Sequence, residues 1–212
     1  MKKKLICTDK CRFCEIFKSK EQLGKIDTPI IKYEKYIAIV SLGAFIPGWT
    51  LIIPKGHIFS MKEAYFDLDF IDIANEMLVK LNKVYNSKCI IFEHGANHEG
   101  SITACGTNHA HLHILPYDKS LLFDMKQDGK EWIECKIVDV KKIVGDNEYW
   151  LYGENIDEIQ NANVFLHIIS NPESQYFRKI LAKKEGFLKQ YDYKKYDFLE
   201  IAEETYEKLR GK

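Results

Sequence analysis

The chain has no excess of either charge and no long apolar run. Lys plus Arg and Asp plus Glu number 31 each in 212 residues. The molecule as a whole therefore exerts no strong pull on nucleic acid, and any anion must be held by a local site. No stretch approaches the roughly 20 apolar residues that a membrane span needs. The basic opening MKKKLICTDK is followed by no apolar segment of secretory-signal length. The cytoplasm is the expected compartment, and no membrane partner is expected. In that reducing setting the six cysteines argue against a disulfide framework. Internal repeats and low-complexity segments are also missing.

What is present reads as a mixed fold. PIIKYEKYIAIVS has the β-branched and aromatic content of two strands, and WTLIIP of a third, stopped by Pro54 after a turn at Pro47 and Gly48. Over residues 64–85, Phe66, Phe70, Ile73, Ala74, Met77, Leu78, Leu81 and Val84 recur every three or four positions, which predicts the longest helix. KCIIFEHG reads as another strand, followed by a loop of Gly, Asn and Ser. This order predicts an α+β domain over residues 1–117. Residues 118–212 read as a smaller mixed extension. EYWLYGEN and NANVFLHIIS are its strands, and two helices end at Gly186 and Gly211. Residues 118–146 show no clear pattern.

Residues 109–116, HAHLHILP, place three of the chain's seven histidines at alternate positions. In a strand, His109, His111 and His113 share one face, and Ala110, Leu112 and Ile114 share the other. The apolar face can pack on the long helix, leaving an imidazole row toward a cleft. Same-face neighbours on a strand lie about 6.6 Å apart and the outer pair about 13 Å. That row is too long for one metal ion. It suits an elongated anionic group, with one ring as nucleophile or base and its neighbours orienting it or meeting charge.

HAHLHIL resembles the histidine triad pattern, His–φ–His–φ–His–φ–φ with φ apolar. PGWTLIIPKGHI is similar to the strand and turn that precede the long helix in that family, and IIFEHG to the strand before the triad loop. The resemblance covers roughly residues 10–117. It implies a triad-type antiparallel sheet with a long helix, in an enzyme that hydrolyses or transfers nucleotides by attacking an α-phosphorus through histidine. Carried over by position, His111 would be the nucleophile, His113 would contact phosphate oxygens, and His109 would orient the site or bind metal. Dinucleoside polyphosphates and nucleotide phosphoramidates are the expected substrates. The alternatives are decapping or deadenylylation of nucleic-acid ends, and a non-catalytic nucleotide- or RNA-binding module. The resemblance also makes a homodimer through the helix and sheet edge one expectation, and coverage of that surface by the extension the other.

Two positions depart from the family pattern. Where many members carry Gln or Ser as a phosphate contact there is Cys105, with Thr103 and Thr107 as alternative hydroxyls. Where many carry Asn or Gln there is Glu93, a carboxylate that would repel a polyphosphate unless neutralised. His94 and His98 are assigned to the adjoining loop, either reaching substrate or simply solvated.

Cys11 and Cys14, in CRFC, have the two-residue spacing that lets two thiolates grip one zinc ion. Zinc-bearing triad proteins complete such a pair with a histidine after the PK turn and with the first triad histidine, so the resemblance supplies His57 and His109. A set of two cysteines and two histidines is closed, hence structural, and Cys7 is an alternative ligand.

In the extension, ESQYFRKILAKKEG and the following YDYKKYDFLEIAEETYEKL are similar to the C-terminal region of longer bacterial and archaeal triad proteins. Between Arg178 and Lys195 there are seven basic residues against two acidic ones. Ser174, Gln175 and Arg178 are expected to reach the phosphates or the distal part of the substrate, since an arginine fork matches phosphate oxygens in pairs. The aromatics here, Tyr176, Phe177, Tyr191, Tyr193 and Tyr196, are expected to pack rather than stack on bases.

Overall fold

The computed structural model describes residues 11–21 and 23–211. Cys7 lies outside the described residues. A short helix α1 (Arg12–Lys18) follows Cys11. Strands β1 (Ile31–Lys32), β2 (Tyr36–Val40) and β3 (Thr50–Pro54) then form an antiparallel meander.

The helical pattern over residues 64–85 is divided in the structure. Ala64–Phe66 make a single 3-10 turn, and α2 spans Leu68–Tyr85. Asp67 causes the break: its backbone is extended, and its carboxylate accepts from the Asp69 N–H at 3.0 Å, serving as N-cap. The same carboxylate pairs with Lys35 at 2.9 Å. Phe70, Ile73, Ala74, Met77, Leu78 and Leu81 form the buried stripe, as their spacing requires. Asn86 ends the helix in the left-handed conformation, with φ of 49°.

Strands β4 (Cys89–Gly95) and β5 (Leu112–Pro116) pair antiparallel, with β5 inserted between β3 and β4. The extension contributes α3 (Leu122–Lys126), β6 (Ile133–Lys136), α4 (Val140–Val144), β7 (Tyr149–Ile156), β8 (Asn163–Ile168), α5 (Tyr176–Lys184) and α6 (Leu199–Arg210). Strand β7 pairs with β4, so the sheet runs on across the division at residues 117 and 118. Among the described residues the sheet has eight strands, ordered β1-β2-β3-β5-β4-β7-β8-β6, all neighbours antiparallel. Edge strand β6 escapes the sequence reading because IECK offers only four residues, and they are mostly exposed.

Each face of the sheet is covered differently. On one, Ile52, Ile91, Ala110, Leu112, Ile114 and Leu151 pack with Phe70, Ile73, Met77 and Leu81 of α2. The apolar partners of the histidines therefore do face the long helix. On the other face, Phe13 and Ile16 of α1 cover Ile37, Ile39, Leu51 and Ile53. Further along that face, Phe177 and Leu181 of α5 join Phe92, Trp150 and Tyr152. Tyr176 stacks on Trp150 at 4.1 Å and 5°, so Tyr176 and Phe177 do pack. The extension also covers the β4 edge with β7, and α6 packs against α2 and β2.

Candidate functional site

The regular strand begins only at Leu112, so His109 and His111 lie in an irregular lead-in and His113 in β5 itself. The alternation survives this correction, but the even row does not. The rings of His111 and His113 approach to 4.8 Å, while the ring of His109 turns toward that of His57, 4.9 Å away.

Hydrogen bonds fix a different proton on each ring. His111 Nδ1 lies 2.9 Å from the His109 carbonyl, an acceptor only, so Nδ1 carries the hydrogen and Nε2 keeps a lone pair. His113 Nδ1 accepts from Trp49 Nε1–H at 2.9 Å, so its hydrogen is on Nε2. Neither Nε2 has a partner among the described residues, and both residues line one cavity. Burial pulls His111 below the ordinary imidazole pKa. It pulls His113 well below, with His111, His94 and Arg178 adding repulsion. Both rings are neutral at neutral pH, one able to offer a lone pair at Nε2 and the other a hydrogen-bond donor there. Phe92 stacks on His113 at 4.2 Å and holds its plane.

His109 faces elsewhere. Its Nε2–H donates to the Pro54 carbonyl at 2.8 Å, which leaves the Nδ1 lone pair toward Cys11 and Cys14. Cys11, Cys14, His57 and His109 place four ligand atoms within 4.8 Å of one another. Zinc bonds of about 2.3 Å to sulfur and about 2.0–2.1 Å to nitrogen, at tetrahedral angles, put S and N about 3.6 Å apart. The separations here are 3.2 Å for Cys14–His57, 3.4 Å for Cys11–His109 and 3.6 Å for Cys14–His109. Burial lowers the His109 pKa to about 4 and also lowers that of His57, which keeps both rings neutral as ligands must be. The donor set fits zinc.

Several expected substrate contacts lie away from the cavity. Glu93 is buried on the α2 face, where its carboxylate accepts from the Met61 N–H at 2.6 Å and from the hydroxyls of Tyr65 and Tyr149 at 2.5 and 2.6 Å. Strand alternation explains this: in β4, Phe92 and His94 share the triad's face and Glu93 has the opposite parity. Thr103 is fully buried and donates to Glu148 at 2.7 Å. The backbone N–H of Gln175 donates to Cys105 Sγ at 3.0 Å, and Ser174 also bonds that thiol. The side chain of Gln175 meets Asp192 and the Tyr193 N–H. Cys105, Thr107 and Arg178 do line the cavity.

No protein-family model and no curated protein matches the chain. Among solved structures it is similar to a Hit-like protein involved in cell-cycle regulation from Bartonella henselae, at 19% identity and TM-score 0.36, over 44% of this chain and 69% of that one. A hypothetical histidine triad nucleotide-binding protein from Sulfolobus tokodaii matches at 26% identity and TM-score 0.37, over 52% and 70%. A HIT family hydrolase from Clostridium thermocellum matches at 26% and 0.33, over 52% and 93%. The likeness is to histidine triad proteins.

Around this histidine triad stand residues whose placement the sequence did not reveal. His94 belongs to β4 rather than to a loop; it is buried and lines the cavity. His98 is exposed beside Asn97 and Glu148. Arg12 and Phe13, the residues between the two cysteines, form one wall, and Arg12 is tied to Asp27 at 2.6 Å. Tyr193 also lines the cavity, its hydroxyl donating to the Cys105 carbonyl at 3.0 Å. It differs in this from the aromatics that only pack. Gly43 makes the approach of Tyr193 feasible, because φ is +70° and a Cβ there would collide with the tyrosine's Cβ. The basic run is also less bare than its composition suggested. Lys179 pairs with Glu173 at 2.6 Å, Lys184 with Asp124 at 2.7 Å and Lys195 with Asp192 at 3.7 Å.

Proposed function

We propose that this protein is a histidine triad nucleotide hydrolase or nucleotidyltransferase that works through a nucleotidyl–histidine intermediate. One observation carries the reading: two adjacent neutral imidazoles of opposite tautomer, each with an unpartnered Nε2, line one cavity.

His111 Nε2 attacks the α-phosphorus, forming a P–N bond as the P–O or P–N bond to the leaving group breaks. The carbonyl of His109 stabilises the positive charge that develops on the ring. His113 Nε2–H donates to a non-bridging phosphate oxygen. Water or another acceptor then attacks the same phosphorus, and the pair of electrons in the P–N bond returns to His111. Zinc, where bound by Cys11, Cys14, His57 and His109, has a structural part: all four ligands are protein groups, so no position is left for substrate. Its ligands Cys11 and Cys14 bracket the wall made by Arg12 and Phe13.

The test is mass spectrometry of wild type and His111→Ala with dinucleoside polyphosphates, nucleotide phosphoramidates and capped or adenylylated oligonucleotides. A nucleotidyl adduct on residue 111 and turnover, both lost in the variant, are expected. Full turnover by His111→Ala would sink the assignment. Binding without turnover by wild type would favour a nucleotide-binding module instead.

A further inference from the structure

Arg178 is 4% exposed and lines the triad cavity, yet among the described residues no carboxylate pairs with it. Its Nε donates to the Tyr191 carbonyl at 2.8 Å and its Nη2 to that of Gly43. The guanidinium lies over the Trp49 ring at 4.7 Å, and its Nη1 has no acceptor among the described residues. Neutral carbonyls and an aromatic face offset only part of the cost of burying a cation. Burial draws its pKa down to about 10, so the charge persists at neutral pH. Trp49, beneath this charge, is the residue that donates to His113. The cation thus sits one indole ring away from the triad.

His94 is a second unused group in the same wall. It is 8% exposed, its Nε2 is buried without a partner, and its ring lies 6.2 Å from that of His113. Burial holds it neutral down to about pH 3, so it adds hydrogen-bonding capacity and no charge.

We propose that Arg178 and His94 form an anion subsite beside the triad, which receives a leaving group carrying its own phosphate. This rests on the nucleotidyl-histidine reading above and names its substrate class as phosphoanhydrides. When His111 attacks, the electron pair of the breaking P–O bond stays on the bridging oxygen of the leaving phosphate, whose negative charge rises. The free Nη1 of Arg178 meets that charge. A phosphoramidate instead releases an amine that takes up a proton, and a fixed buried cation does nothing for such a group. A dinucleoside polyphosphate and a 5′-adenylylated nucleic-acid end share the phosphoanhydride chemistry.

The experiment compares kcat/KM for diadenosine tetraphosphate, a 5′-adenylylated oligonucleotide and adenosine 5′-phosphoramidate in wild type, Arg178→Met, Arg178→Lys and His94→Phe. Binding of inorganic pyrophosphate is followed by calorimetry in parallel. The ratio of phosphoanhydride to phosphoramidate kcat/KM should fall on the order of 10²-fold in Arg178→Met, with part recovered in Arg178→Lys. The two phosphoanhydrides, compared with each other, identify the source of the leaving group. Equal losses on all three substrates would overturn the subsite while the adduct on His111 still upheld the reaction. Pyrophosphate binding that depends on Arg178, with no turnover and no adduct, would uphold the subsite and remove the enzymatic reading. Should Arg178→Met fail to fold, His94→Phe and the wild-type titration decide, and absence of pyrophosphate binding overturns the proposal.

Discussion

Replacing Glu93 by Gln should remove a pH dependence from the stability of this fold. The carboxyl is 1% exposed between α2 and the sheet. Burial raises its pKa, while the Met61 N–H, the Tyr149 and Tyr65 hydroxyls and Lys62 lower it, and the balance lies at about 7. An unfolded glutamate has the ordinary value of 4.5. Below pH 4.5 both states hold the proton and the group contributes no slope. Between 4.5 and 7 the folded state retains a proton that the unfolded chain has released, so stability falls as pH rises. Each pH unit is worth about 1.4 kcal/mol, and 2.5 units give a loss on the order of 3 kcal/mol by pH 7. Above 7 the contribution is constant. Glutamine keeps the shape and does not titrate. Urea unfolding of both proteins from pH 5 to 8.5 isolates the effect, because every other group cancels in the difference. The wild type should lose stability relative to Glu93→Gln from pH 5 to about 7 and run parallel to it above. A flat difference, or one that rises with pH, would mean that the three donors outweigh burial, and would refute the reasoning. Since Glu93 lies across the sheet from the cavity, the substitution should move kcat/KM far less than stability.

Two further outcomes follow from the other buried groups. Trp49→Phe deletes the indole N–H that donates to His113 Nδ1 and should lower stability by about 1–3 kcal/mol; nitrogen NMR should show the His113 proton shared between its two nitrogens, and an unchanged Nε2–H tautomer would refute the role given to the indole. Purified protein should contain one zinc per chain, and removing it from a site held at a thousandfold above Kd should cost roughly 4 kcal/mol, or on the order of 8–16 °C in Tm; zinc-free protein whose Tm ignores both chelator and Cys14→Ser would remove the metal site.

Much of this site is legible in local patterns. The alternate histidines, the pair of cysteines and the β-branched strands are short-range signals, and Ala110, Leu112 and Ile114 face α2 as the alternation requires. Parity in β4 is an equally local signal. There it separates Phe92 and His94 from Glu93, and so places the carboxylate on the face turned away from the triad. Other features have no local trace. Arg178 is held in the lining of the triad cavity by a guanidinium tied to Gly43, 135 positions earlier in the chain. Likewise, β7 joins β4 through a pairing that depends on the edge β4 leaves open, not on either sequence alone. The division ahead of α2 falls between these cases: Asp67 is a good N-cap by type, but the apolar spacing runs through it and hides the break.

The three imidazoles differ because each has one nitrogen committed to a different partner. Pro54 takes the Nε2–H of His109 and leaves Nδ1 for the cysteines. The carbonyl of His109 takes the Nδ1–H of His111 and leaves a lone pair on Nε2, the atom proposed to attack phosphorus. Trp49 fills the Nδ1 of His113 and leaves Nε2–H, the donor proposed to meet a phosphate oxygen. His109 therefore serves twice, its ring in the metal cluster and its carbonyl behind the proposed nucleophile. A metal that fixes this ring also fixes the peptide that sets the tautomer of His111, two residues on. Loss of zinc would then reach catalysis through the His109 backbone, without the ion ever meeting the substrate.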